Sequence, residues 1–431
     1  MCILPMIAVN DHANYILYIL YVMKMILKSI LFMLTLILVI QCKKDETLPN
    51  YEITDENFLN ALIERGVDKN GDGMISSEEA EAVSVLKIYS CGISDMTGIE
   101  KFINLDTLNC GDNLLTTLDV SNNTYLRELG CYANKLSKLD VSRNTYLTSL
   151  ICFDNKLTAL DISRNPALKW LVCGENQLTT VDISRNPALL WLSCGENKIT
   201  TFKFSSNNGL LELYCPNNEL TKLDVSVITS LTDLYCFSNQ LTTLDVSGNI
   251  SLESLSCDNN QLTTLDVSHN TVLKELDFYA NKLTALDVSH NPVLNWIMCQ
   301  DNRLTTLNIS KNTALEQLWI WNNKLTSLDL SNNINLKALY CSDNQLTSLD
   351  VSNLLDLHFL NCSGNQLTSL DISNNTSLGL AAGDSYGCYL DISNMPDLEK
   401  VCVWRMPFPP AGFWVCSDGS PNVYFTMDCS K

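Results

Sequence analysis

Apolar and polar positions alternate along most of the chain in a pattern that repeats every 21 residues. The unit is L-x-x-L-x-C-x-x-N-x-L-T-x-L-D-V-S-x-N-x-x, and thirteen copies run from Leu105 to about residue 377. Within a copy, Leu108 and Cys110 alternate with Thr107 and Asn109. This alternation predicts a short strand with one buried face. One strand in every coil predicts a solenoid built on a parallel β-sheet.

The unit resembles the leucine-rich repeat, whose consensus is L-x-x-L-x-L-x-x-N-x-L. The resemblance implies an α/β solenoid, a right-handed superhelix of 21-residue coils with a parallel β-sheet on its concave face. We expect the chain to consist of a signal or anchor segment (1–41), a linker after a lipidated cysteine (42–50), an EF-hand-like helix–loop–helix (51–84), an imperfect first coil (85–104), thirteen repeats (105–377), and degenerate repeats with a C-terminal cap (378–431).

The cysteine of the unit forms a ladder along the chain. It recurs every 21 residues from Cys110 to Cys257, after which Phe278 takes its place and Ile320 does so two coils later. A position that accepts Cys, Phe or Ile is an apolar core position. The ladder has neither isolated pairs for bridges nor C-x-x-C spacing for zinc. The sequence therefore predicts buried free thiols.

Polar positions of the unit are equally regular. Asn113 and its equivalents to Asn365 are always Asn, Ser121 and its equivalents to Ser373 are always Ser, and Asp119 is Asp in eleven of thirteen copies. We expect these side chains to pair with backbone groups in the turns. Calcium held between stacked Asp residues is the alternative.

Composition and motifs argue against two function classes. The chain has 28 Lys and Arg against 48 Asp and Glu, a net charge of −20, which disfavours nucleic acid as a partner. The dipeptides Ser268-His269 and Ser289-His290 look catalytic. Their histidines, however, occupy one position of the repeat, which carries Asn122 and Arg143 in other coils. That position is a solvated turn. We therefore expect a protein that is not an enzyme.

The N-terminal segment is apolar from residue 16 to residue 40, with Lys24 and Lys28 near its middle. Taken from Met23 or Met25, it resembles a bacterial lipoprotein signal with Cys42 as the lipidated residue, although Val39-Ile40-Gln41 lacks the usual small residue before the cysteine. The alternative is a single uncleaved membrane anchor. Both place residues 43–431 outside the cytoplasmic membrane, and the lipoprotein resemblance implies a surface-exposed outer-membrane protein.

Residues 68–79 fit the twelve-residue calcium loop of an EF-hand. Gly73 stands where the loop turns sharply, and Ile75 stands where it keeps an apolar residue. The expected calcium ligands are Asp68, Asn70, Asp72, the carbonyl of Met74, Ser76 and Glu79. We expect one structural Ca²⁺ that stiffens a helical cap over the first coil, where a solenoid needs a covered end.

The C-terminal segment departs from the repeat. We expect Leu398, Val401 and Val403 to form a last strand, and Pro407, Pro409 and Pro410 to stop the repeat. Four cysteines, at 388, 402, 416 and 429, lie off the ladder in a compartment that permits disulfides. They allow three pairings, of which we favour Cys416–Cys429.

The strand positions that face solvent carry a biased set of side chains. They are the third, fifth, seventh and eighth residues of each coil, and these 52 positions hold thirteen aromatics, twelve acids and neither Lys nor Arg. Trp and Tyr dominate binding hot spots, so we expect a recognition surface. The candidates are Trp170, Trp191, Tyr214, Tyr235, Trp296, Trp319, Trp321 and Tyr340. Aromatics that stack on one another to stabilise the sheet are the alternative.

The repeats and the calcium loop together resemble the leucine-rich-repeat surface lipoproteins of Gram-negative bacteria and, more broadly, internalin-type proteins. The resemblance implies a monomeric, adhesin-like protein that binds an extracellular protein partner. The alternative is a surface lipoprotein that captures a glycan for nutrient uptake, because carboxylates bind sugar hydroxyls while rings stack on sugar C–H faces.

Overall fold

Short parallel strands succeed one another along the chain in the computed structural model, which describes residues 53–204, 209–380 and 388–429. These residues belong to one unit, Thr47–Lys431. The expected signal segment 1–41, linker 42–50 and lipidated Cys42 lie outside the described residues. Among the residues described, no helix has the length and apolarity needed to cross a membrane.

Two α-helices and one 3₁₀-helix precede most of the strands: α1 (Glu56–Glu64), α2 (Ser77–Glu81) and the 3₁₀-helix Ile99–Lys101. The strands are β1 (Val85–Lys87), β2 (Thr107–Asn109), β3 (Glu128–Gly130), β4 (Ser149–Ile151), β5 (Trp170–Val172), β6 (Thr180–Asp182), β7 (Trp191–Ser193), β8 (Thr201–Lys203), β9 (Glu212–Tyr214), β10 (Asp233–Tyr235), β11 (Ser254–Ser256), β12 (Glu275–Asp277), β13 (Trp296–Met298), β14 (Gln317–Trp319), β15 (Ala338–Tyr340), β16 (Phe359–Asn361), β17 (Ser369–Asp371), β18 (Leu390–Asp391), β19 (Lys400–Cys402), β20 (Val415–Cys416) and β21 (Tyr424–Thr426).

Sixteen strands form one parallel sheet, in the order β1-β2-β3-β4-β5-β7-β9-β10-β11-β12-β13-β14-β15-β16-β18-β20. Through the repeats the register advances by 21 residues a strand, so that Leu108 pairs with Leu129 and Leu129 with Leu150. These central leucines are buried. The predicted leucine-rich-repeat solenoid with 21-residue coils is confirmed.

A left-handed residue ends each strand of the repeat. The eighth position of all thirteen coils has a positive φ, between 49° at Ala133 and 63° at Gly364. Such a residue breaks the extended backbone. This residue stands three positions beyond the end of the strand, so the chain turns away from the sheet at the same point in every coil.

The core is a stack of identical layers. The leucines at the first, fourth and eleventh positions are buried, and the ladder cysteines have no exposed surface. Burial raises the pKa of the Cys110 thiol to about 12, because a thiolate would lose its solvation there. Phe278 and Ile320 take the same buried position. The prediction of buried free thiols is confirmed for the described coils.

The two N-terminal α-helices cover the first coil. Phe58 and Leu62 of α1 are fully buried in the common core. Asp55 caps α1 by accepting the Phe58 N–H at 3.0 Å, and its second oxygen accepts from the N–H groups of Ser94 and Asp95. One carboxylate therefore fixes both the start of the helix and its attachment to the coil.

The C-terminal end differs from the expectation in two ways. Strand β19 includes the expected Val401, but β20 and β21 come after the three prolines, so the repeat does not stop there. The expected Cys416–Cys429 bridge is wrong, since Cys388 pairs with Cys416 and Cys402 pairs with Cys429. The reason is topological. Strand β20 joins the large sheet, whereas β21 joins a separate sheet in the order β17-β19-β21, so each disulfide links successive coils.

Candidate functional site

Asparagine side chains connect each coil to the next. Asn155 donates from Nδ2 to the carbonyls of Cys131 (3.0 Å), Cys152 (3.2 Å) and Phe153 (3.3 Å), and its Oδ1 accepts the N–H of Leu136 at 2.9 Å. The same set recurs along the described ladder, as at Asn260. The prediction that this ladder satisfies turn backbone is confirmed. Its role is to hold the coils in register.

A second ladder of asparagines lies at the nineteenth position of the unit and has no exposed surface. Asn165 donates to the carbonyls of Val141 (3.1 Å) and Asn144 (2.8 Å). Its Oδ1 is buried without a hydrogen-bond partner. No role was expected for these residues from the sequence, although their 21-residue recurrence was the signal that could have identified them.

The Asp and Ser ladders form local turns. Asp119 Oδ1 accepts the N–H of Ser121 at 2.9 Å. The Ser121 hydroxyl and N–H together hold the pKa of Asp119 below its usual value. Where Lys203 replaces the ladder Asp, it lies 3.4 Å from Asp182 of the preceding coil. These side chains stabilise the turns, as predicted.

The Ser–His pairs lie in these exposed turns. Ser268 Oγ is 3.2 Å from Nδ1 of the adjacent His269, but the neighbouring Asp266 accepts from the Ser268 N–H and does not orient the imidazole. A Ser-His-Asp triad requires the carboxylate to hold the histidine. The arrangement is a local turn contact that recurs at Ser289.

The predicted calcium loop collects oxygen atoms around a tight turn. Asp68 accepts from the N–H groups of Gly71 (2.6 Å) and Gly73 (2.9 Å), and Asn70 Oδ1 accepts from the N–H of Asp72 at 2.8 Å. Gly73 has a φ of 77°, as the sharp turn requires. Asp68, Asn70 and Asp72 thus turn their oxygens onto one loop. This all-oxygen set fits Ca²⁺, which takes six to eight oxygen ligands.

Glu79 has a structural role in the same loop. Its Oε1 accepts the N–H of Lys69 at 2.7 Å, and its Oε2 accepts from the N–H and hydroxyl of Ser76, each at 2.9 Å. Hydrogen bonds from the Ser76 and Lys69 backbones, followed by that from the Ser76 hydroxyl, lower the pKa of Glu79 to about 2. Ser76 and Glu79 form the capping box of α2, so Glu79 joins the two ends of the loop.

The solvent side of the sixteen-stranded sheet, called the sheet face below, carries the predicted aromatics. Not all eight candidates lie on its surface. Trp170 is 44% exposed, whereas Tyr214 is 5% exposed and Trp319 is 9% exposed. The remaining candidates, Trp191, Tyr235, Trp296, Trp321 and Tyr340, are half-buried. Tyr214 and Trp319 support their neighbours and are not contact residues.

Four of the candidates form one cluster, the Trp319 cluster, which consists of Trp296, Trp319, Trp321 and Tyr340. The ring of Trp319 lies 5.7 Å from Trp296, 5.6 Å from Trp321 and 5.3 Å from Tyr340. Tilted and edge-to-face pairs at these distances are favourable beyond their buried area. The cluster is therefore rigid, and its three outer rings keep a solvent-facing side. Aromatic rings on neighbouring strands therefore pack against one another, which is the alternative that the sequence left open. The outer rings of the cluster nevertheless remain partly exposed to solvent.

The acids of the sheet face have two different origins. Eight of the thirteen residues at the eighth position are Asp, Asn or Gly, the residues that adopt a left-handed backbone most readily. The backbone conformation by itself therefore accounts for an Asp at this position, as at Asp112 and Asp301.

Two other acids of the sheet face, the buried Asp258 and the half-buried Asp277, were not singled out from the sequence. Asp258 is 2% exposed, and burial raises its pKa to about 6. Burial and the neighbouring Asp258 carboxylate raise the pKa of Asp277 well above its usual value. Among the thirteen coils Asp occurs once at the fifth position and once at the seventh, and this rarity was the available signal.

Comparisons with known proteins agree with this architecture. Residues 361–383 match a family model described as the LVIVD repeat. Over 70 residues the chain is 39% identical to Internalin J of Listeria monocytogenes serotype 4b, a match that covers 16% of this chain and 8% of that protein. The chain thus spans only a small part of that relative's length.

Solved structures extend the likeness. The functional domain of InlJ from Listeria monocytogenes, which includes a cysteine ladder, is 35% identical with a TM-score of 0.63, and 76% of each chain is covered. A leucine-rich-repeat protein of Leptospira interrogans is 21% identical with a TM-score of 0.63, over 81% of this chain and 97% of its own, which shows the shared fold alone. From the coil length, the cysteine ladder and the identity to the InlJ domain, the chain belongs to the internalin-like leucine-rich-repeat family.

Proposed function

We propose that the chain is a non-catalytic, adhesin-like binding protein of the bacterial cell surface that recognises an extracellular protein through its sheet face. The observation that carries the proposal is the Trp319 cluster, a preorganised group of rings on a surface whose strand positions hold neither Lys nor Arg. Rigid aromatic anchors lose little entropy on binding and dominate hot spots. Membership of the internalin-like family supports a binding role.

The exposed Trp170 is a second contact residue in this proposal. It pairs across the sheet with Trp191, and the Lys169 ammonium lies 6.0 Å from its ring centroid. The two tryptophans present a broad apolar surface several coils away from the Trp319 cluster. A partner that touches both would span the central coils.

The proposal keeps two predictions from the sequence. Cys42 is the site of lipid attachment, which anchors the monomeric protein in the outer membrane with its repeats outside the cell. One Ca²⁺ held by Asp68, Asn70, Asp72, the Met74 carbonyl, Ser76 and Glu79 stiffens the N-terminal cap. That ion would replace part of the hydrogen bonding that now turns these oxygens onto the loop.

The test is a binding screen of the purified full chain, with calcium present, against arrays of extracellular proteins and of glycans. The variant carries Trp296→Ala and Trp321→Ala, which removes outer rings and leaves the buried Trp319. The matched control carries Tyr125→Ala and Tyr146→Ala. These tyrosines are exposed, stack at 6.4 Å and lie outside the strands.

We expect a protein ligand whose affinity falls by about tenfold or more in the tryptophan variant and is unchanged in the control. A glycan ligand with the same dependence would replace adhesion with glycan capture as the function. A ligand whose binding survives the loss of both rings would refute recognition by the Trp319 cluster.

A further inference from the structure

Two carboxyl groups lie on neighbouring coils of the sheet face, that of the buried Asp258 and that of the half-buried Asp277. Asp258 accepts hydrogen bonds from the Ser256 hydroxyl at 2.7 Å and from Asn259 Nδ2 at 2.8 Å, and a third bond joins it to the Tyr279 hydroxyl. These partners are all neutral. Asp277 has an oxygen, Oδ1, that is buried without a hydrogen-bond partner.

A second oxygen without a hydrogen-bond partner belongs to Gln300, which lies near the pair. Gln300 is 4% exposed, and its Oε1 makes no hydrogen bond. Strand pairing places Asp277 beside Ser256 on one side and beside Met298 on the other. Asp258 and Gln300 each lie two residues further along those neighbouring chains, on the same face of the sheet. Both are therefore diagonal neighbours of Asp277, within reach of its side chain.

Without a bound cation or proton, the burial of these carboxylate and amide oxygens is unfavourable. A buried carboxylate needs a compensating charge, and a buried amide oxygen needs a partner. None of the ion pairs among the described residues involves Asp258 or Asp277. A proton on one carboxyl relieves the repulsion within the pair, whereas a divalent cation neutralises both carboxylates and provides a partner for Gln300.

We propose that Asp258, Asp277 and Gln300 bind a divalent metal cation on the sheet face, separate from the N-terminal loop. The donors are all oxygens, two of them carboxylates and one an amide, which is the ligand type of Ca²⁺, Mg²⁺ and Mn²⁺ and not of softer metals. Ca²⁺ suits the site best, because it tolerates irregular geometry and neutral oxygen ligands. The site lies between Tyr235 on one side and the Trp319 cluster on the other, and metal binding would fix these neighbouring coils.

The test uses Ca²⁺ alone as the probe. The full chain is purified in detergent, stripped with a chelator, and titrated by calorimetry at neutral pH. The decisive variant is Asp277→Asn, which keeps the shape of the side chain and removes its charge. The matched control is Glu128→Gln, which removes an exposed carboxylate from the sheet face several coils away. A third protein carries Asp68→Asn in the loop, so that the two sites are counted independently.

We expect the wild type and Glu128→Gln to bind one more Ca²⁺ than Asp277→Asn does. In the Asp68→Asn protein, which lacks the loop site, we expect only the Ca²⁺ of the sheet face to bind. Its dissociation constant should lie in the range of extracellular calcium modules, about 10⁻⁴–10⁻³ M. A Gln300→Met variant fills the same space without the amide oxygen. We expect its affinity to fall by about tenfold or more, since even the loss of a group that only orients a ligand has this effect at many metal sites.

Asp277→Asn removes a negative charge beside Asp258, so the variant folds at least as well as the wild type without metal, and thermal unfolding with chelator present checks this. The same Ca²⁺ count in the wild type and in folded Asp277→Asn would overturn the proposal. In that case the two carboxyls share a proton, and the sheet face holds no metal.

Discussion

The two asparagine ladders look alike in the sequence, but we expect them to differ in their contribution to stability. Replacement of Asn155 by Ala leaves the buried N–H of Leu136 without an acceptor, because Asn155 Oδ1 is its partner. The three carbonyls that Asn155 contacts each keep another donor: Asn134 Nδ2 for Cys131, Asn176 Nδ2 for Cys152, and the Ala133 N–H for Phe153. A buried donor left unpaired costs about 1–3 kcal/mol.

Replacement of Asn165 by Ala leaves no group without a partner. The carbonyl of Val141 still accepts the N–H of Asn144, and the carbonyl of Asn144 still accepts the N–H of Leu147. Asn165 Oδ1 is already unpaired, so its removal carries no further loss. Both changes delete the same atoms from a buried position, so their cavity costs are similar. We therefore expect Asn155→Ala to destabilise the protein by about 1–3 kcal/mol more than Asn165→Ala.

The assay is urea unfolding followed by tryptophan fluorescence, with the midpoint and the m-value compared among variants. Repeat arrays can unfold in parts, so hydrogen exchange of peptides that contain Leu136 is measured in parallel. The control is Asn122→Ala at an exposed turn position, expected within about 0.5 kcal/mol of the wild type. Equal losses of stability for Asn155→Ala and Asn165→Ala would show that the unpaired Leu136 N–H carries no measurable cost.

Three further predictions concern ionisation, thiols and disulfides. The pKa of Glu79 is about 2 in the folded chain against an ordinary 4.5. Its carboxylate therefore stabilises the fold above pH 4.5, and this contribution is lost as the pH falls from 4.5 to 2. Without calcium, we expect Glu79→Gln to lower the melting temperature at pH 7 and to leave it unchanged at pH 2. Among the described free cysteines, Cys91 reacts first with a thiol reagent in native protein, because the ladder thiols are buried; rapid labelling of ladder thiols without unfolding would contradict this. Cys388→Ser opens a bridge across 28 residues, a loss of about 3–4 kcal/mol to the C-terminal coils by chain entropy, and peptide mapping of the wild type recovers Cys388 linked to Cys416.

The repeat and most of its structural consequences could be predicted from the amino-acid sequence. Because every coil has the same length, each residue of the unit meets its own equivalent in the next coil, so periodicity alone predicted the parallel register. Tolerance of Phe278 and Ile320 at the cysteine position predicted a buried core. The uniformity of Asn113 and its equivalents predicted backbone pairing. These inferences needed only contacts between equivalent positions of successive coils, and no knowledge of contacts between different positions of the repeat.

The tertiary structure alone decided the features that depend on such contacts. The left-handed backbone at the eighth position accounts for the Asp and Asn residues that recur there. The diagonal placement of Asp277 between Asp258 and Gln300 results from strand register combined with side-chain direction. At the C-terminal end the 21-residue spacing fails, so the sequence had no register with which to choose among the three pairings, and the favoured Cys416–Cys429 bridge was wrong. Only the division of β20 and β21 between two sheets brought the correct partners together.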